Sequence, residues 1–212
     1  QVLDNEFKAD FIVSGGSGFG PPRPVSPRIA EQVAALPEVG AASGLRFGAA
    51  SIEGKAVFVN AVDPVAARQV LAVGDVDGSF ADLTDRGIAV SQRKAEAFGW
   101  SVGDVVPIRF VATGVRPVRV QYIFSETTFG DYFITLGSWN RNFVQQVDTF
   151  VFVKLKPGVT AEAGRAAIEG VLTDYPTVRL RDNAEYRAEQ AAQVDQLVRI
   201  VYALLLMALI IA

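Results

Sequence analysis

The side chains that could carry out chemistry are few, because the 212-residue chain contains no histidine and no cysteine. Without histidine, a serine or cysteine nucleophile has no imidazole base, and a helical pair of histidines for zinc cannot be built. Without cysteine, thiolate catalysis, zinc–thiolate sites and disulfides are excluded. Carboxylates and glycine-rich loops are therefore the groups whose spacing has to be considered.

One acidic segment has part of the spacing of a calcium loop. Asp75 and Asp77 precede Gly78, as acidic ligands precede the glycine of an EF-hand. With Gly78 at the sixth position, however, Val73 occupies the first position and Thr84 the twelfth, where carboxylates are required. The segment is therefore interpreted as an ordinary turn.

A glycine-rich segment near the start invites comparison with a phosphate-binding loop. Gly16, Gly18 and Gly20 are spaced by single residues, but Pro21 stands where the dinucleotide-binding motif needs its third glycine. No lysine followed by serine or threonine completes a Walker motif either. A surface loop is the interpretation that this segment favours.

The remaining candidates for a site are one carboxylate pair and a group of aromatic residues. Glu126 and Asp131 flank one loop and could do acid–base work, but nothing in the sequence brings them together, which favours solvated loop charges. The aromatic group favours core packing, with a partly exposed partner or substrate surface as the alternative; its members are Trp100, Phe129, Tyr132, Phe133 and Trp139. The sequence thus predicts no catalytic, cofactor-binding or metal-binding residue.

The composition limits the class of partner. Twenty Lys and Arg against 23 Asp and Glu give a net charge of 20 − 23 = −3, and no basic run is present, which argues against nucleic acid. Half of the residues are hydrophobic and 20% are charged, as in a chain that packs a core. The length fits one large domain or two small ones.

The C-terminal end predicts contact with a membrane. Residues 200–212 form a run of thirteen without a charge, which favours the start of a transmembrane helix over a buried core helix because the run has no polar face. Asn183 can cap a preceding, largely polar helix, so 184–212 is predicted to be one uninterrupted stalk helix entering the membrane. We expect the chain to be a segment of a longer membrane protein.

Two strand–helix–strand units flank a β-rich middle. The first helix begins at Ser26-Pro27 and the second after Thr160, each with apolar residues at helical spacing and a proline near its end. Two such units form a split βαβ, or ferredoxin-like, layer. We therefore predict an α+β fold in which residues 1–62 and 148–183 form an α/β subdomain and 63–147 a β-rich insertion.

The middle of the chain carries a family resemblance. A strand ending in Val-Ser, a short helix, a glycine and a Val-Gly-Asp turn follow one another between Gly87 and Phe110. With Val62-Asp63-Pro64, and a β segment ahead of Gly130-Asp131-Tyr132, this order resembles the periplasmic core domain of MacB-type and FtsX-like ABC transporter permeases, including the LolC/LolE proteins of lipoprotein release. Two positions depart from the family pattern: Ala61 stands where the family has glycine, and Gln121-Tyr122 replace a common glycine in the strand before the final loop.

The resemblance implies an architecture and a set of partners. The α/β subdomain would be the porter and the insertion the sabre, both on the extracytoplasmic side of the cell membrane, and 184–212 would be a stalk helix with the start of a transmembrane helix. The domain would be non-catalytic, with ATP hydrolysis in a separate ABC ATPase subunit and with a second permease copy beside it. Its motion would couple ATP hydrolysis to extrusion or release of a hydrophobic substrate such as a lipid, lipoprotein, peptide or drug.

Two alternatives remain open at this point. One is an FtsX-like regulator whose outer domain activates a cell-wall hydrolase. The other is a membrane-anchored sensor or binding domain.

Overall fold

Ten strands provide the frame of the described part of the chain. The computed structural model describes residues 8–16, 22–189, 191–192, 198, 201–202 and 207. The strands are β1 Phe11–Gly15, β2 Val39–Ile52, β3 Lys55–Val62, β4 Asp75–Gly78, β5 Gly87–Ser91, β6 Val105–Phe110, β7 Gly114–Phe124, β8 Tyr132–Thr135, β9 Phe150–Leu155 and β10 Val178–Asp182. The helices are α1 Pro27–Ala34, α2 Pro64–Val70, α3 Gln92–Phe98, α4 Leu136–Asn142 and α5 Ala161–Leu172, with a 3-10 turn at Phe80–Asp82.

The first sheet has the order β10-β1-β9-β2, and all of its pairs are antiparallel. Numbered within this unit, the order is fourth, first, third, second, which is the ferredoxin-like arrangement. Ile29 and Val33 of α1 share one buried cluster with Ile168 and Leu172 of α5. This confirms the expectation that the two strand–helix–strand units pack on one sheet.

Local sequence explains where these two helices begin. The Ser26 hydroxyl accepts from the Arg28 backbone N–H at 3.3 Å, and Pro27 fills the first helical position, where no N–H is needed. The Thr160 hydroxyl accepts from the Ala163 N–H at 3.2 Å in the same way. Each helix therefore starts where its sequence predicts.

Strand β2 joins the two parts of the fold. Its residues 39–45 pair with β9, and residues 46–52 pair with β3. The second sheet continues from there through β8, β5, β7 and β4, while β6 pairs with β7 and with the end of β2. Strand pairing thus groups residues 46–62 with the 63–147 segment, and we propose that the boundary between the two parts lies inside β2.

Both faces of the second sheet are covered. Helix α2 and the 3-10 turn pack on one face through Ala67, Val70 and Phe80. Helices α3 and α4 pack on the other through Ala95 and Trp139. The central strand β5 is accordingly buried along its whole length.

Three elements of this second part differ from the sequence interpretation. Asp75–Gly78 is an edge strand paired with β7, so its interpretation as a turn is wrong. The segment that follows β3 is helix α2, whose Asp63 cap and Pro64 repeat the Ser26-Pro27 signal. Strand β8 ends at Thr135, whose hydroxyl accepts from the Ser138 N–H and so caps helix α4, which the sequence does not predict.

The chain continues from β10 into a helix. Every described residue after β10 is helical; these are residues 183–189, 191–192, 198, 201–202 and 207. The rest of the predicted stalk lies outside the described residues. So do Gly18 and Gly20 of the glycine-rich segment near the start. Within the described part of the chain, no helix combines the length and the apolar character needed to cross a membrane.

Candidate stalk anchor

The acidic candidates from the sequence have ordinary structural partners. Asp75 accepts from the Tyr122 hydroxyl at 2.5 Å and pairs with Arg68 at 2.8 Å. Asp131 accepts from Ser91 at 2.6 Å and from Arg93, whereas Glu126 accepts from the nearby Thr128. Among the described residues, no cluster of three or more acidic side chains could hold a metal ion. These carboxylates hold loops and strand ends in place.

The aromatic candidates are core residues. Tyr132, Phe133 and Trp139 are buried, and Trp100 and Phe129 are half-buried against the same cores. Burial raises the pKa of Tyr132 to about 12, so its hydroxyl is protonated at neutral pH. Core packing is therefore their role in the described structure.

The densest polar network lies where the chain leaves the domain. Arg165, on α5, donates from Nη2 to Glu185 Oε2 at 2.8 Å and to Asp182 Oδ2 at 3.1 Å. Its guanidinium also lies over the Phe11 ring, 5.3 Å from the ring centroid, in a cation–π contact. One side chain of α5 thus contacts β1, the end of β10 and the first turn of the following helix.

Residues 183–189, called the stalk base from here on, begin with a capping box. The Asp182 carboxylate accepts from the Glu185 N–H at 2.8 Å, and Glu185 Oε2 accepts from the Asp182 N–H at 2.8 Å. The sequence predicts Asn183 as the cap of this helix, but the structure shows that Asp182 is the cap. Asn183 instead donates from Nδ2 to the Ala9 carbonyl at 2.8 Å.

A second arginine ties the stalk base to β1. Arg181 is buried, and it donates from Nη1 to Ser14 Oγ at 3.1 Å and from Nη2 to the Gly16 carbonyl at 3.3 Å. Its Nε lies 2.5 Å from Glu189 Oε2, two turns into the helix. Together with Arg165, it forms what we call the stalk anchor, which links the stalk base to β1, β10 and α5.

Acid should weaken this anchor. The hydrogen bond from Arg165, and then the bond from the Asp182 N–H, lower the pKa of Glu185 below its usual value of 4.5. The stabilisation is therefore present above pH 4.5 and is lost as the pH falls through the lowered pKa. We expect Glu185→Gln to cost less than about 1 kcal/mol at neutral pH, because both partners are partly exposed, and to cost nothing in acid. Denaturant unfolding at a series of pH values measures this, and a cost that does not change with pH would contradict it.

A second network lies inside the fold, where β2 passes from one sheet to the other. Arg46 Nε donates to Asp148 Oδ1 at 2.7 Å, and both side chains are less than a tenth exposed. Arg46 Nη1 also donates to Asn140 at 2.9 Å and to Gln146 at 2.7 Å. A Cβ added to Gly44 would lie 2.3 Å from Asp148 Oδ2, so only glycine leaves room for the carboxylate there.

The described part of the chain combines a ferredoxin-like layer, a second sheet joined to it through β2, and an anchored helix. The chain matches the family model of the MacB-like periplasmic core domain over residues 1–171, and it belongs to that family. It is therefore the extracytoplasmic domain of a MacB-like ABC transporter permease, in a family that works with an ATPase.

Solved structures show the same fold. The periplasmic region of MacB from Actinobacillus actinomycetemcomitans has a TM-score of 0.66 at 12% identity, covering 88% of this chain and 94% of that one. The extracellular domain of the noncanonic ABC-type transporter YknZ from Gram-positive bacteria has a TM-score of 0.61 at 14% identity, covering 81% and 99%. A domain of a putative permease from Porphyromonas gingivalis has a TM-score of 0.53 at 17% identity, covering 83% and 86%. No curated protein sequence matches the chain.

Proposed function

We propose that this domain transmits motion, so that ATP hydrolysis in a partner subunit drives extrusion or release of a hydrophobic substrate outside the membrane. The observation that supports this most is the stalk anchor. Arg165 and Arg181 connect the stalk base to β1, β10 and α5 through charged hydrogen bonds and ion pairs. A displacement of the stalk base would therefore be transmitted to the first sheet.

The path continues through β2 into the second part of the fold. A single strand of 14 residues, β2, pairs in both sheets. The sheets are therefore connected by hydrogen-bonded backbone and not by a flexible linker. The Arg46–Asp148 ion pair lies at the position where β2 changes partners. In our proposal the two sheets move together, and the second sheet carries the motion to the substrate or partner.

The domain itself is proposed to be non-catalytic. The ATPase subunit on the other side of the membrane would hydrolyse ATP, and a second permease copy would complete the transporter. Activation of a cell-wall hydrolase is the runner-up function, and it uses the same transmission of motion with a different outer partner. Export and hydrolase assays on the same permease separate the two.

Two substitutions at one position test whether the stalk must be stiff. Val194 lies outside the described residues, within the helix predicted for 184–212. Val194→Pro would remove a helix hydrogen bond and cost about 3 kcal/mol or more in a helix interior, whereas Val194→Leu keeps the helix. In the permease assembled with its ATPase, we expect the proline variant to hydrolyse ATP without export and the leucine variant to export normally. Equal export by both would contradict the proposal.

A further inference from the structure

An arginine-lined cleft in the second part of the fold is unrelated to the stalk anchor. It lies between the start of β7, helix α4 and the residues that precede β5, and its volume is about 620 Å³. Three arginines line it, Arg86, Arg116 and Arg141, together with one acid, Asp85. The charged side chains of the lining therefore sum to 3 − 1 = +2.

The single acid is already engaged. Asp85 Oδ2 lies 3.1 Å from Arg141 Nη1, and the other carboxylate oxygen accepts from the Thr135 hydroxyl. Arg141 Nη2 also donates to the Asp85 backbone carbonyl at 3.0 Å. Asp85 and Arg141 thus neutralise each other and form one fixed side of the cleft.

The other two arginines have no such partner. Within the described residues, the guanidinium groups of Arg86 and Arg116 take part in no ion pair and no side-chain hydrogen bond. Two guanidinium groups that line one cleft repel each other, and an anion between them would convert that repulsion into attraction. The pair therefore supplies charge and hydrogen-bond donors for a ligand from outside the chain.

A buried hydroxyl in the lining adds an unused donor. Ser138 is 2% exposed, and its Oγ accepts a long bond of 3.4 Å from Asn142 Nδ2 but donates none within the described structure. Asn142 itself is fixed, because its Oδ1 accepts from the Thr113 hydroxyl at 2.6 Å. A buried donor without an acceptor is costly unless a ligand or water accepts from it.

We propose that this cleft binds the phosphoryl group of a phosphate monoester or diester. Planar guanidinium groups match the oxygens of a phosphate, and the Ser138 hydroxyl would supply a further donor. Pro117 and Val118 also line the cleft and would face the carbon part of the ligand. The source of the group is a soluble phosphorylated molecule or the head group of an anionic phospholipid. The proposal does not depend on transmission of motion through the stalk.

The test uses the 212-residue chain with two kinds of probe. Calorimetry with glycerol 3-phosphate at low salt measures the soluble source, and flotation with phosphatidylglycerol against phosphatidylcholine vesicles measures the lipid source. Each of Arg86→Gln and Arg116→Gln is expected to weaken binding about tenfold, as for loss of one hydrogen bond between charged groups. The matched control is Arg109→Gln, which removes an exposed arginine of β6 outside the cleft and should leave binding unchanged.

Each outcome decides the proposal. Binding of glycerol 3-phosphate that is lost in the combined Arg86 and Arg116 variant identifies a soluble ligand. A preference for phosphatidylglycerol that is lost in the same variant identifies a lipid head group, since the apolar C-terminal residues are identical in all variants. Binding to neither probe, or an equal loss in Arg109→Gln, would overturn the proposal.

Discussion

Arg46→Gln is expected to destabilise the domain by about 3–5 kcal/mol, because it leaves the Asp148 carboxylate buried without its cation. For a chain of this length, the melting temperature should fall by roughly 10 °C. The loss should be larger than that of an ordinary surface ion pair, since the same arginine also holds Asn140 and Gln146. Thermal and denaturant unfolding of the purified chain measure it.

Arg68→Gln provides the matched control. It breaks an arginine–aspartate pair with a similar distance of 2.8 Å, but the Arg68 and Asp75 side chains are 42% and 48% exposed. Exposed pairs contribute about 0–1 kcal/mol, so this variant should unfold almost like the wild type. If both variants lose the same stability, burial is not what makes the Arg46–Asp148 pair important.

Arg165→Gln is expected to separate ATP hydrolysis from outer function in the complete permease. The variant removes the contacts from α5 to Asp182 and Glu185 while leaving the capping box intact. We expect ATP hydrolysis to continue and export per ATP to fall about tenfold, within the usual range of coupling free energies between sites. Arg179→Gln, which changes an exposed arginine on β10, is the control and should export normally.

The readout must distinguish coupling from folding. Arg165 is only partly buried, so the variant domain should keep its fold and its melting temperature should change little. A variant that exports normally with the anchor broken would show that the stalk base is only a tether. A variant that loses assembly with the ATPase would place Arg165 in folding rather than in transmission.

The sequence predicts the first sheet and its helices well, because their signals are local. Ser26-Pro27 and Thr160 act as caps, and apolar residues at helical spacing mark the buried faces of α1 and α5. The end of α3 is equally local, since Gly99 adopts the left-handed conformation with a φ of 69°.

The elements that the sequence did not predict are short or polar. All four residues of β4 are exposed, so no apolar alternation marks it as a strand. Helix α4 contains Gly137 and two asparagines, which are poor helix formers. The Thr135 cap is the one feature of the sequence that indicates a helix there. A glycine is needed there because a Cβ on Gly137 would lie 2.3 Å from an Asp85 carboxylate oxygen.

Neither the stalk anchor nor the Arg46–Asp148 network could be predicted, because most of their contacts are long-range. Arg46 and Asp148 are 102 residues apart, and Arg181 reaches Ser14 across 167 residues. Charged residues at such separations look like ordinary surface positions until the fold brings them together. The Asp182–Glu185 capping box is the exception. Its two residues are three apart, which is the spacing of a capping box, so the sequence indicates it as well as the Asn183 cap.

The most direct test of rigid transmission is a distance across the stalk anchor during the ATP cycle. The chain contains no cysteine, so spin labels at Asp174→Cys, beyond α5, and Ala188→Cys, in the stalk base, would be unique within it. With one labelled permease copy per transporter, pulsed electron paramagnetic resonance should give one narrow distance distribution, identical without nucleotide and with ATP trapped, and Arg165→Gln should broaden it. A wild-type distribution that shifts between the two states would show that the stalk base hinges on the domain, and rigid transmission through the anchor would be contradicted.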